Sequence, residues 1–138
     1  MKQVILLAAA LAFFLPAGHA QNTGIRFFEG TWAEALAKAK AEKKPVFLDA
    51  YATWCGPCKM MERDVFTDPK VAAYFNEKFI AIRIDMEHGE GPALAKRLPS
   101  IDGYPSLLFF GSDGYLTKTI LGSRNAEDFL AEARLVGR

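Results

Sequence analysis

The 138-residue chain predicts an α/β fold, a central mixed β-sheet with helices on both faces. Three observations carry this. The run Val46-Phe47-Leu48-Asp49-Ala50-Tyr51-Ala52 is apolar except at Asp49, the pattern of a strand buried on both faces of a sheet. Helical patterns lie on either side of it, and a second strand-like run follows at Phe79 to Asp85. A strand, a helical crossover and a second strand make a parallel pair. Further on, Leu107 to Phe110 and Tyr115 to Leu121 flank Gly111-Ser112-Asp113-Gly114, a hairpin signal that adds antiparallel pairing.

Met1 to Ala20 reads as a targeting segment. Lys2 supplies a positive n-region, Val4 to Leu15 is an unbroken apolar run of twelve, and Gly18-His19-Ala20 offers small residues for cleavage. The run is short for a membrane span, which needs about 20 residues; an uncleaved anchor is the alternative. Taking residues 1–20 from 138 leaves 118, residues 21–138, enough for one domain with a real core.

Gln21 to Gly30 is a lead-in, with Ile25-Arg26-Phe27-Phe28 predicted to add an edge strand. A helix follows over Ala33 to Lys43. Thr31 is its N-cap, Glu34 completes a capping box, and Trp32, Leu36 and Ala39 or Lys40 mark the inner face. Pro45 is expected to end it. After the Val46 to Ala52 strand, a helix starts at the Cys55 motif and is expected to kink near Asp64 to Thr67. Asp68 caps the next helix with Pro69 at its first position and Val71, Ala72 and Phe75 on its apolar face. Ile80, Ile82 and Ile84 alternate with Ala81, Arg83 and Asp85 in the following strand. Pro92 to Leu98 forms a short helix. Asn125 caps the last one, with Phe129, Leu130 and Leu135 facing inward.

The chemistry sits in Trp54-Cys55-Gly56-Pro57-Cys58-Lys59, which holds both cysteines of the chain. Two residues between them place the sulfurs on one helical first turn, where unpaired N–H groups and the positive end of the helix dipole stabilise a thiolate. Zinc needs about four ligands, but the chain has no third cysteine and its only histidines are His19 and His88. Covalent haem needs a histidine after the second cysteine, where Lys59 stands. A structural disulfide is the remaining alternative, though so short a loop removes little chain entropy. The pattern points to dithiol–disulfide exchange. A formal net charge of +1 argues against a nucleic-acid partner.

The stretch from Asp49 through Lys59 resembles the active site of the thioredoxin superfamily. Gly103-Tyr104-Pro105-Ser106 is similar to that family's cis-proline loop, and Gly122 to a third landmark. Trp32 to Ala41, Lys44-Pro45-Val46 and Met61-Glu62 are more like the periplasmic branch, which includes the C-terminal domain of the transmembrane reductant DsbD.

The resemblance implies a thioredoxin fold and a set of roles. Cys55, expected to be the less buried thiol, attacks a substrate disulfide, and Cys58 resolves the mixed disulfide. Asp49, six residues before Cys55, is the buried acid behind the second cysteine, with a raised pKa; a hydrogen-bonded structural carboxyl is the alternative. Ordinary thioredoxins place a lysine near this acid. Ala81 is aligned with that place, so Asp49 is expected to be buried and unpaired. Trp54, Gly56, Pro57, Tyr104, Pro105 and Gly122 shape the substrate groove. Glu62 and Lys59 are candidates for tuning the thiols, and Glu62 is equally readable as a surface charge. No metal, nucleotide or flavin is needed beyond the Cys55–Cys58 disulfide. The expected partners are protein or peptide disulfides and a DsbD-like membrane electron donor, and the protein is expected to be a periplasmic monomer. Gly56-Pro57 resembles reducing thioredoxins, which favours a protein-disulfide reductase. An oxidase or isomerase is the enzymatic alternative, and a binding or chaperone module with a structural disulfide is the other.

Overall fold

The computed structural model describes residues 23–99 and 101–137. The expected signal peptide, 1–20, and the expected mature terminus at Gln21 lie outside them. The described residues form a four-stranded mixed sheet flanked by five α-helices.

Helix α1 (Trp32–Glu42) starts as its sequence dictates. The Thr31 hydroxyl oxygen accepts the Glu34 N–H at 3.3 Å, and the Glu34 carboxylate accepts the Thr31 N–H at 2.7 Å. The helix ends before Pro45 can act. Lys43 takes a left-handed conformation, φ 54°, and its N–H donates to the Ala39 carbonyl. Trp32, Ala35 and Ala39 are buried, while Leu36 is only partly so.

Strand β1 (Val46–Tyr51) is central. It pairs in parallel with β2 (Ile80–Asp85) and antiparallel with β3 (Ser106–Phe110), which pairs antiparallel with β4 (Leu116–Leu121); the order is β2-β1-β3-β4. The edge strand expected at Ile25 to Phe28 reduces to one bridge, Phe27 to Ala81. Its other amides are used elsewhere: Ile25 N–H donates to the Phe66 carbonyl at 2.8 Å and Arg26 N–H to Asn76 Oδ1 at 2.7 Å.

Side chains alternate across the sheet. Val46, Leu48 and Ala50 pack with Ile80, Ile82, Ile84, Leu108 and Phe110 against α1 and α4 (Gly91–Arg97). Phe47, Ala81, Leu107 and Phe109 face α3 (Pro69–Lys78) and α5 (Ala126–Val136). The second core is aromatic: Phe75 stacks on Phe129 at 4.8 Å between centroids and meets Phe47 edge-on at 5.0 Å. In α5, Phe129, Leu130 and Ala133 turn inward, but Leu135 is 61% exposed, contrary to expectation. At 100° per residue, position 135 lies about 200° round from position 133.

Between β1 and α3 runs α2 (Gly56–Met60), five residues long. The expected kink near Asp64 to Thr67 comes earlier and is a change of helix type. Met61–Val65 is π-helical, closed by Phe66 N–H donating to the Met61 carbonyl at 2.8 Å. Asp68 then caps α3, its Oδ1 accepting from the Lys70 and Val71 amides at 2.9 and 3.1 Å.

Candidate active site

Strand β1 carries the chain to the C-terminal edge of the sheet, and Ala52 to Trp54 turn it into α2. Cys55 is the N-cap. Its Sγ accepts the Cys58 N–H at 3.2 Å, so the first-turn amide that would stabilise a thiolate is already directed at this sulfur. Cys55 and Cys58 are joined as a disulfide with Cα atoms 5.3 Å apart. Both residues are 2% exposed, which corrects the expectation that Cys55 is the less covered. Their surroundings differ instead. Cys55 is flanked by exposed Trp54 and Gly56, with exposed Pro57 next, whereas Cys58 lies within the helix.

The loop before β3 closes against the cysteines. The Tyr104–Pro105 peptide is cis, and Tyr104 packs with Tyr51 against Ala52, Cys55 and Cys58. The Pro105 carbonyl accepts the Gly122 N–H at 2.9 Å. Gly122 has φ 84°, a left-handed conformation that favours glycine, and it ends β4 beside that loop. Trp54 is 67% exposed, meets Tyr104 edge-on at 6.1 Å, and donates its indole N–H to Glu87 Oε2 at 2.8 Å. Burial first, then the Glu87 and Asp85 carboxylates, push the Tyr104 hydroxyl up. Trp54, Gly56 and Pro57 thus adjoin Cys55 in the chain, Tyr104 packs on the disulfide, and Pro105, in the loop that carries Tyr104, is joined to Gly122. Glu87, which the sequence reading did not single out, joins them through Trp54.

Asp49 is 1% exposed and lies on the face of β1 that carries Phe47. It is not unpaired. Arg83 Nε donates to Asp49 Oδ2 at 2.7 Å, while Oδ1 is buried without a partner. The expectation that Asp49 is unpaired is therefore corrected, and the strand register gives the reason. Ala81 stands opposite Phe47, and Arg83 stands opposite Asp49. Burial raises the Asp49 pKa to about 6; the Arg83 charge opposes that rise and Glu62 adds to it. Arg83 is disfavoured as a cation by its own burial, but Asp49 and Glu62 outweigh this and its pKa is raised. Arg83 was missed although it carried a signal, a positive charge set between the isoleucines of an alternating strand. Only the register shows what it meets.

Glu62 is exposed, and its Oε1 accepts from Arg83 Nη1 at 3.1 Å. Its link to Asp49 therefore runs through the guanidinium. Lys59 is exposed on α2 and lines a cleft of about 180 Å³ with Tyr51, Ala52, Thr53, Cys58, Glu62 and Arg83. His88 pairs with Asp85 at 2.8 Å on the surface. Among the described residues, no group of three or more His, Cys, Asp or Glu is placed to hold a metal ion. Nor is any described helix long and apolar enough to cross a membrane.

Residues 28–112 match the family model described as thioredoxin-like. The chain belongs to the thioredoxin-like family. It is a thioredoxin-like disulfide oxidoreductase whose redox pair is Cys55–Cys58. The chain is 34% identical over 146 residues to the thiol:disulfide interchange protein DsbD of Escherichia coli K12, covering 96% of this chain and 26% of that protein. It therefore spans about a quarter of the length of that curated relative. Among solved structures, a “putative disulphide-isomerase” from Bacteroides thetaiotaomicron is 42% identical, with a TM-score of 0.73, covering 84% of this chain and 95% of that one. The oxidised DsbD C-terminal domain of Neisseria meningitidis is 30% identical, with a TM-score of 0.63, covering 75% of this chain and 90% of that one.

Proposed function

We propose that this chain is an exported, periplasmic protein-disulfide reductase supplied with electrons by a DsbD-like membrane protein. The observation that carries the reading is a Cys55–Cys58 disulfide at a helix N-cap, packed against a cis-proline loop and rimmed by exposed Trp54.

In the reduced protein the Cys55 thiolate attacks one sulfur of a client disulfide. An intermolecular S–S bond forms, and the client's other sulfur leaves as a thiolate. Cys58 then loses its proton and attacks Cys55 Sγ. The mixed disulfide breaks, the client leaves with both sulfurs reduced, and the two electrons it gained are balanced by the new Cys55–Cys58 bond. Asp49, with a pKa of about 6, is a base matched to accepting the Cys58 proton near neutrality, directly or through water. Trp54 and Tyr104 offer an aromatic rim, and the cis-Pro105 loop presents the Tyr104 backbone to an extended client strand. Glu62 and Lys59 line the approach to Cys58. Export rests on the Met1 to Ala20 pattern, and the reducing direction on Gly56-Pro57 and the likeness to DsbD.

The test is dithiothreitol-driven insulin reduction together with the equilibrium of the Cys55–Cys58 pair against glutathione. A reductase turns over insulin and is readily oxidised by glutathione disulfide. A pair that stays reduced against that buffer marks an oxidant, and no turnover at all leaves a binding module.

A further inference from the structure

Arg83 occupies an unusual position for a cation. It issues from the edge strand β2, yet its guanidinium lies 4.5 Å from the Tyr51 ring centroid, 5.6 Å from Phe27 and 5.8 Å from Phe66. Those rings hold it by cation–π attraction without taking its N–H donors. The donors go two ways: Nε to buried Asp49 Oδ2 at 2.7 Å, and Nη1 to exposed Glu62 Oε1 at 3.1 Å. The same side chain lines the cleft that reaches Cys58.

We propose that Arg83 is a positioning residue for the resolving step: it holds Asp49 by Oδ2, keeps Oδ1 free to accept the Cys58 proton, and is itself oriented by Glu62 at the cleft wall. With Oδ2 engaged by a fixed guanidinium, the other carboxylate oxygen is left to accept, and here it is the buried Oδ1 without a partner. A lysine could not do the same. Its ammonium is a point charge on a flexible stem, whereas the planar fork engages two carboxylates at once. Around the Asp49–Arg83 pair, the other charged or titratable groups are Glu62 of the π-helical turn, Cys58 and Lys59 of α2, and Tyr51 of β1; β3 contributes apolar Leu107 opposite Asp49. The permanent positive charge of Arg83 opposes the effect of burial and favours the ionised Asp49 carboxylate.

The inference rests on Cys58 being the resolving thiol, and two readouts separate the two ideas. The first is the pH dependence of mixed-disulfide resolution in single turnover for wild type, Arg83→Gln, Arg83→Lys and Asp49→Asn/Arg83→Gln. Loss of the cation should move the Asp49-dependent limb to higher pH by roughly 1–3 units. Arg83→Lys should move it less, and in the Asp49→Asn background Arg83→Gln should move nothing. The second readout is the Asp49 carboxyl titration, followed by ¹³C NMR in the oxidised protein, which needs no turnover. It should rise in Arg83→Gln and be partly restored in Arg83→Lys. An Asp49 titration unmoved in both variants overturns the inference alone, as does an equal limb shift in the Asp49→Asn background. A wild type with no resolution step overturns the reading beneath it as well.

Discussion

Asp49 carries a cost that changes with pH. Its carboxyl is held at about 6 in the fold, against 3.8 for an ordinary aspartate. Between those values the folded protein binds a proton that the unfolded chain has released. The associated stability is fully present below pH 4 and is lost as pH rises through 6. Relative to Asp49→Asn, the oxidised wild type should lose on the order of 3 kcal/mol between pH 4 and pH 7. Denaturant unfolding of both proteins across that range checks it, and parallel pH curves would remove the cost. The same carboxyl predicts kinetics. Asp49→Asn should slow resolution near pH 7 and matter less at alkaline pH, where solvent takes the Cys58 proton, as a stopped-flow pH–rate profile will show. At the cysteines, Cys58→Ser should accumulate mixed disulfides with clients while Cys55→Ser should not. Equal trapping by the two would overturn the role assignment, which burial does not decide because the two thiols are equally covered. The cysteine pair and the acid were legible in the sequence because their types and spacing carry the chemistry. Arg83 was not, because its partner is chosen by strand register, which is a tertiary fact.

The elements that hold the site were legible where a local rule governs them. Thr31 and Glu34 cap α1, Asp68 caps α3 and Asn125 caps α5, as written in their residues. Thr31→Ala should cost about 1 kcal/mol in chemical denaturation, with insulin reduction unchanged. The π-helical turn was not legible. Met61–Val65 reads as ordinary helix by propensity, and the wider turn is a property of the packed chain rather than of those five residues. It leaves Met61 fully buried and its sulfur accepting the Arg124 N–H at 3.3 Å. The bridge at Phe27 was over-read as a strand, because the amides that would have extended it are drawn off by Phe66 and Asn76. At the start of α4, Gly91 shows how tightly the β2–α4 loop is wound. A Cβ there would lie 1.8 Å from the Asp85 carbonyl oxygen and 2.6 Å from Met86 Cα. Gly91→Ala must displace backbone and should cost at least about 1–3 kcal/mol, read as a lowered denaturation midpoint with an unchanged slope. An alanine variant as stable as wild type would show that the loop yields freely.

On the scale of the molecule, one sheet separates two apolar cores of different character: a mainly aliphatic one beneath α1 and α4, which holds the Trp32–Phe110 pair, and a phenylalanine-rich one beneath α3 and α5. The order of elements made this architecture readable in advance, since two strands joined by a helical crossover and then a hairpin have few ways to share a sheet. Export is argued from residues outside the described ones. Secreted material should lack Met1–Ala20 and begin at Gln21, as intact-mass analysis will show; full-length chain in the membrane fraction would mean a retained anchor. The two tryptophans are divided between inside and outside. Trp32 is buried against Phe110, with ring centroids 4.8 Å apart, while Trp54 stands in solvent next to Cys55. One indole is sealed from the chemistry and the other adjoins it, so the protein contains its own optical gauge. On reduction the emission of Trp54 should change while that of Trp32 holds as an internal reference, and a single fluorescence trace could then time each half of the exchange without any added label.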